Sequence, residues 1–152
     1  MNQRIIYTGL DREGNECCCI IIPTGELPTE VVARKDVPQG VPYKIVDLAD
    51  IEAIISDRTF RGAWEAGNNN EPSVKINLNK AKEIAHEKRR AARAVEFAPH
   101  DETIAKQIPG KSAQAAEAAR EEIRNKYAII QDNIDTASTV AELKSAMTFL
   151  DQ

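Results

Sequence analysis

The stretch Glu65 to Val74, EAGNNNEPSV, divides the sequence into two parts of different character. Its glycine, three successive asparagines and proline favour turns and oppose both helix and strand. Short β-rich runs precede it, whereas from Leu78 onward alanine, glutamate, lysine, arginine and isoleucine dominate, as in helices. We therefore expect an α+β fold with a small antiparallel β module over residues 1–66, a linker over 67–77 and a helical hairpin or bundle over 78–152.

Three short runs in the first part have the composition of strands. Arg4–Thr8 and Glu16–Ile22 flank a polar stretch that contains two glycines, which predicts a hairpin, and Val41–Leu48 supplies a third strand. Thr29 could cap a short helical turn over EVVARKD. One face of such a sheet needs an apolar cover. The segment ADIEAIISDRTFRGAW supplies candidates for it, namely Ile51, Ile54, Ile55, Phe60 and Trp64.

The only cysteines of the chain, Cys17, Cys18 and Cys19, are consecutive. Tetrahedral metal sites draw ligands from separated positions, and neither His86 nor His100 has a suitable spacing to them, so no metal is expected. On a strand, Cys18 would face away from the other two thiols. We therefore interpret the run as a half-buried strand, while cross-links between subunits stay open.

The first predicted helix, NKAKEIAHEKRRAARAVEF, has Asn79 as a possible cap and only a weak apolar stripe. That stripe consists of Leu78, Ala81, Ile84, Ala85, Ala91, Ala92 and Val95. Pro99 should then kink the helix or begin a separate short one over HDETIAKQI. Pro109 and Gly110 predict a turn.

The last two helices have clearer patterns. Ser112 can cap a helix whose apolar residues recur every three or four positions, at Ala116, Ala119, Ile123, Tyr127, Ile130 and Ile134. Thr139 and Glu142 have the spacing of a capping box, and the helix that follows carries Val140, Leu143, Met147 and Leu150 almost to the end of the chain. Such short helices with narrow stripes favour burial in an assembly.

No motif in the sequence predicts catalysis or a cofactor. PGKS at residues 109–112 lacks the upstream glycine of a phosphate-binding loop, where Ala105 stands, and a turn with a helix cap explains it. His86 and His100 have no accompanying nucleophile. The basic run HEKRRAAR, with Lys88, Arg89, Arg90 and Arg93, is diluted by glutamates and is typical of a solvated face. We therefore expect a non-enzyme without cofactor or metal.

Net charge and the N-terminal sequence also limit the classes of function that we expect. A formal net charge of -4 opposes general binding to nucleic acid. The opening MNQRIIYTG has only a two-residue apolar pair, so neither a signal peptide nor a membrane span is expected there, and synthesis in a cytoplasm follows.

The segment RKDVPQGVPYKIVDLADIEAIISDRTFRGAWE, residues 34–65, resembles small proteins encoded beside tail and tail-fibre genes of tailed bacteriophages and prophages. KDVPQGVPYKIVD and SDRTFRGAWE carry the resemblance, and INLNKAKEIAHEKRRAAR and ASTVAELKSAM are similar to the helical tails of those proteins. The segment LADIEAII is longer than the usual link before SDRTFR. The resemblance covers most of the chain from Val31. It implies a phage protein of the tail region, either built into the virion or assisting fibre assembly, and it carries over no active-site residues.

These observations lead to one functional hypothesis, its rival, and a third hypothesis from another class, in which the chain is a small regulatory binder of nucleic acid through Lys88 to Arg93. The chain would be a virion component whose β module binds a neighbour while its helices pack with copies of itself or with another tail protein. The rival is a fibre-assembly chaperone that is absent from the mature virion. The expected contact residues are apolar: Phe60, Trp64, Tyr127, Ile130, Ile134, Leu143, Met147 and Leu150.

Overall fold

The computed structural model describes residues 2–150 and confirms the α+β class, with a small antiparallel sheet followed by a helical region. The chain divides into two compact units, Met1–Asn77 and Leu78–Gln152. We call them the sheet unit and the helical unit and describe each by itself.

The sheet unit is built around three antiparallel strands in the order β2-β1-β3. They are β1 at Gln3–Leu10, β2 at Glu16–Ile21 and β3 at Tyr43–Asp47, so all three predicted strands are present. The β1–β2 turn forms because Asp11 Oδ1 accepts hydrogen bonds from two backbone N–H groups downstream, at 2.9 and 2.8 Å. The central strand is β1, since it pairs with both β2 and β3.

The two faces of the sheet bury neighbouring residues of β1. Ile5 packs with Ala33 and Val37 at helix α1, Thr29–Asp36. On the opposite face, Ile6 packs with a cluster formed by Ile51, Trp64 and Val74. This alternation follows from the two-residue period of a strand.

The first helix of the sheet unit corrects one prediction. Pro28, not Thr29, occupies the N-cap position of α1, and no side chain caps it. Thr29 is already inside the helix and is almost fully buried. Pro28 has the extended backbone that precedes a helix, which explains the shift. Helix α2, Leu48–Ile55, follows β3 directly and contributes Ile51 to the cover of the sheet.

The predicted linker over 67–77 forms the loop and the second strand of another hairpin, whose first strand ends the predicted β module. A short 3-10 helix, Arg61–Ala63, leads into β4 at Trp64–Ala66, which pairs antiparallel with β5 at Val74–Ile76. The loop between them closes on itself, since Asn68 N–H donates to Glu71 Oε2 at 2.9 Å and Glu71 N–H donates to Asn68 O at 3.0 Å. The turn-forming residues that resembled a linker thus make a hairpin loop.

Three helices form the helical unit: α3 at Leu78–Lys106, α4 at Ala113–Thr136 and α5 at Val140–Met147, each in contact with the other two. Helix α3 begins at Leu78, so Asn79 lies inside it and is not its cap. Pro99 is also inside α3, which runs on for seven further residues without a separate second helix. Gln107, with φ +47°, ends it.

The apolar stripe predicted for α3 is only partly correct. Ala81 and Ala85 are fully buried, but Val95 is 74% exposed. Arg89, which we placed on a solvated face, is buried. The buried positions 81, 85 and 89 follow a four-residue spacing, so the arginine lies on the packed face because its stem extends the alanine stripe.

The start signals of α4 and α5 are confirmed. Ser112 Oγ accepts a hydrogen bond from Ala115 N–H at 3.1 Å. Thr139 Oγ1 accepts from Glu142 N–H at 3.2 Å, and Glu142 Oε2 accepts from the backbone of Ser138 at 2.7 Å. The predicted α4 stripe is buried except for the half-buried Ala119. Helix α5 ends at Met147, before Leu150.

Candidate interaction surfaces

The residues that we predicted for contact with partners belong to the cores of their own units. Trp64 lies in the sheet-unit cluster. Seven of the eight are buried and Leu150 is half-buried; the buried ones are Phe60, Trp64, Tyr127, Ile130, Ile134, Leu143 and Met147. Their packing within the chain is therefore clear, and their part in a partner contact stays a prediction. Exposed residues provide the surfaces described next.

The first surface is the outer edge of the sheet at β2. Within residues 2–150, β2 pairs as a strand only with β1, at one end of the order β2-β1-β3, and it also lies against β4. Two exposed apolar residues lie near its ends: Leu10, the last residue of β1, which pairs with Glu16 and is 68% exposed, and Ile22, which follows β2 and is 66% exposed. We call this surface, formed by β2 with Leu10 and Ile22, the β2 edge. An unpaired edge of this kind is a template for pairing with another chain.

The cysteines of β2 have two different environments, as their alternation predicts. Cys17 and Cys19 lie on the same face, with their Sγ atoms 3.8 Å apart. Gly9 lies beside them on β1, and a Cβ at this position would come within 2.6 Å of Cys19 Sγ. Cys18 faces the Trp64 cluster, and burial there raises the pKa of its thiol to about 11. Cys18 is thus half-buried against the core and a poor nucleophile.

A polar contact joins α3 to α4 beside the helical core. Tyr127, whose ring is buried, donates from its hydroxyl to Glu96 Oε1 at 2.7 Å, and Lys126 Nζ donates to the same oxygen at 2.7 Å. These donors, Lys126 first, lower the pKa of Glu96. Burial and the bond to Glu96 raise the pKa of Tyr127 to about 12. Glu96 is therefore held ionised and Tyr127 is held protonated, which are the charge states that this hydrogen bond needs.

The two histidines lie at different places in the helical unit. His86 Nε2 is 3.0 Å from Asp135 Oδ1, and Lys82 Nζ donates to the backbone oxygen of the same aspartate at 2.7 Å. These bonds join the first half of α3 to the end of α4. His100 lines a different depression, beside Glu96 and Lys126. In the described part of the chain, no group of three or more histidine, cysteine or acidic residues could hold a metal ion.

A second surface brings four arginines together in a cleft of the helical unit. Arg90 and Arg93 from α3 meet Arg120 and Arg124 from α4 around Phe97, in a volume of about 470 Å³. We call this the arginine cleft. Only the first pair belongs to the basic run in the sequence, and the second lies about thirty residues downstream, so composition alone did not reveal the cluster.

Comparison of the chain with protein-family models, with curated proteins and with solved structures found no match. Among the helices described, none is both long and apolar enough to cross a membrane.

Proposed function

We propose that this protein is a structural component of a tailed-phage virion, in the tail region, and acts through protein–protein packing. Its partners would be other tail or fibre proteins and copies of itself, in a particle assembled in the host cytoplasm. The observation that carries the packing role is the β2 edge, where the outermost strand in the order β2-β1-β3 has an exposed apolar side chain near each end. Strand addition at such an edge supplies main-chain hydrogen bonds to a partner.

The phage assignment rests on the resemblance of residues 34–65. In the structure, KDVPQGVPYKIVD runs from the end of α1 through β3, and SDRTFRGAWE runs through the 3-10 helix into β4. Both segments therefore belong to the sheet unit that also presents the β2 edge.

Purified, nuclease-treated particles from a strain that carries the gene provide the direct test. We expect the chain in these particles at a constant number of copies per particle, measured by quantitative mass spectrometry against an isotope-labelled standard. A chain that is absent from finished particles but forms soluble complexes with a fibre protein during infection would instead support the rival, a fibre-assembly chaperone.

A matched pair of double variants tests the β2 edge in the same particles. Leu10→Lys with Ile22→Lys should lower incorporation at least about tenfold, because two charges would border the pairing strand. Leu27→Lys with Val31→Lys is the control, since both residues are exposed apolar residues outside this edge, each 44% exposed. Equal incorporation of both double variants would rule out the β2 edge as the contact.

A further inference from the structure

The arginine cleft contains two guanidinium groups that form no ion pair with a carboxylate in the described part of the chain. Arg120 Nε forms an ion pair with Asp101 Oδ1 at 3.0 Å, and Arg120 and Arg124 share Glu117 at 2.8 Å. Arg90 and Arg93, by contrast, form no ion pair with any residue between 2 and 150, and Arg93 Nε is buried without a hydrogen-bond partner there. Unneutralised charge is therefore concentrated on the α3 side of the cleft.

Phe97 holds the cleft in a defined geometry. The guanidinium carbon of Arg93 lies 5.0 Å from the centre of the Phe97 ring, and that of Arg120 lies 5.6 Å from it. Such stacking is favourable for arginine and fixes the plane of its donors. Because Arg90 and Arg93 are three residues apart, they project from the same side of α3. An incoming anion would thus find the donors of Arg93 already oriented, with the exposed Arg90 beside them.

The positive charges of Arg90 and Arg93 also affect the buried neighbour Arg89. Its pKa is lowered, first by burial and then by Arg90 and Arg93. An anion bound between the two unpaired arginines would relieve this repulsion. The helical unit as a whole carries equal numbers of acidic and basic residues, so the unpaired charge is a local feature of the cleft.

We propose that the arginine cleft binds a carboxylate side chain from an acidic peptide segment of a partner protein, through Arg90 and Arg93. The planar fork of arginine matches a carboxylate and can bind both of its oxygens. The cleft already includes Asp101 and borders Glu117 and Glu121. These carboxylates would repel the evenly spaced phosphates of a nucleic acid, whereas a single inserted carboxylate avoids them. This inference concerns a surface other than the β2 edge and holds whether or not the chain is part of a virion.

Binding of a short labelled peptide of alternating aspartate and serine to the full chain, followed by fluorescence anisotropy, tests the proposal. We expect at least about tenfold tighter binding than for the same peptide with asparagine in place of aspartate. Arg90→Gln with Arg93→Gln should remove this difference. Lys106→Gln with Lys111→Gln removes the same net charge from exposed positions of the helical unit and should leave it unchanged.

Two further variants separate loss of binding from loss of structure. Arg90→Lys with Arg93→Lys keeps the charge but not the fork, so it should bind the aspartate peptide more weakly than the natural chain and more strongly than the glutamine pair. Asp101→Asn removes a competing carboxylate and should strengthen binding, a gain that unfolding cannot imitate. Far-UV circular dichroism of every variant checks the helices.

Three results would overturn the proposal. The first is equal affinity for the aspartate and asparagine peptides. The second is tighter binding of a single-stranded oligothymidylate than of the aspartate peptide. The third is a dimer of the chain alone that dissociates when Arg90 and Arg93 are replaced by glutamine, since a second copy would then occupy the cleft.

Discussion

Tyr127 is one of the largest fully buried side chains, and its hydroxyl makes a single described bond, to Glu96. Tyr127→Phe keeps the ring and removes this bond. We expect the free energy of unfolding to fall by about 1 kcal/mol, because Glu96 keeps Lys126 and no buried charge loses its partner. Urea denaturation followed by far-UV circular dichroism measures the change. Tyr43→Phe, at an exposed position of β3, is the control and should change little.

The same variant has a pH signature. The pKa of Glu96 is lowered in the folded protein, so its contribution to stability is present above the unfolded pKa of about 4.3 and is lost as pH falls through the lower folded value. The difference in stability between the natural chain and Tyr127→Phe should therefore narrow below about pH 4. A difference that is constant from neutral to acid pH would contradict the bond to an ionised Glu96.

The burial of Cys18 predicts unequal thiol reactivity. Its pKa is raised to about 11, first by burial and then by Cys19 and Cys17, so little thiolate forms near pH 8, and burial remains when those two thiols are removed. The variant Cys17→Ser with Cys19→Ser leaves Cys18 alone, and its alkylation by iodoacetamide should be at least about tenfold slower in the folded chain than in urea. Because the pKa of Cys18 is higher in the folded chain than in the unfolded chain, the free energy of unfolding should also fall as pH rises from about 9 towards 11. Equal rates in both states would mean that Cys18 is exposed.

At the scale of single elements, the N-cap of α4 gives a clean test. Ser112→Ala removes the acceptor for Ala115 N–H, and we expect the free energy of unfolding to fall by about 1 kcal/mol. Ser145→Ala is the control, because Ser145 Oγ donates to Ala141 O inside α5 and caps nothing. Urea denaturation of both variants checks the prediction. Equal losses of unfolding free energy in the two variants would show that the Ser112 cap contributes no more than an ordinary serine hydrogen bond inside a helix.

Local signals were sufficient for α4 and α5, but not for the hairpin β4–β5. A cap followed by a regular apolar stripe determines a helix start from neighbouring residues alone, as at Ser112 and Thr139. Strand Val74–Ile76 is only three residues long and forms because Val74 joins the core beside Trp64, a contact across the hairpin. Pattern analysis does not register such pairing.

At the scale of the whole molecule, the sequence predicted which residues are buried better than which surfaces are available. Tyr127, Ile134 and Leu143 were chosen for their helical spacing, and spacing indicates the packed face without identifying what packs on it. The arginine cleft needs Arg93 from α3 and Arg120 from α4 around one aromatic ring. That arrangement depends on helix packing, which the spacing of charges along the chain does not encode.

The division into two units leads to the last prediction. Leu143, fully buried in the helical unit, leaves a cavity when changed to alanine, and we expect the free energy of unfolding of that unit to fall by about 2–5 kcal/mol. Far-UV ellipticity follows mainly the helices of the helical unit, since α1 and α2 have only eight residues each, while emission from the single tryptophan, Trp64, follows the sheet unit in the same sample. The exposed Ile129→Ala should change stability by less than about 0.5 kcal/mol.

We expect Leu143→Ala to move the ellipticity transition to lower urea concentration and to leave the Trp64 transition where it was. The reason is that the clusters around Ile5 and Ile6 contain residues of the sheet unit only. A Trp64 transition that shifts as far as the ellipticity would mean that both units unfold in one cooperative step. In that case, the stability of the sheet unit would depend on the helices as strongly as on its own apolar clusters.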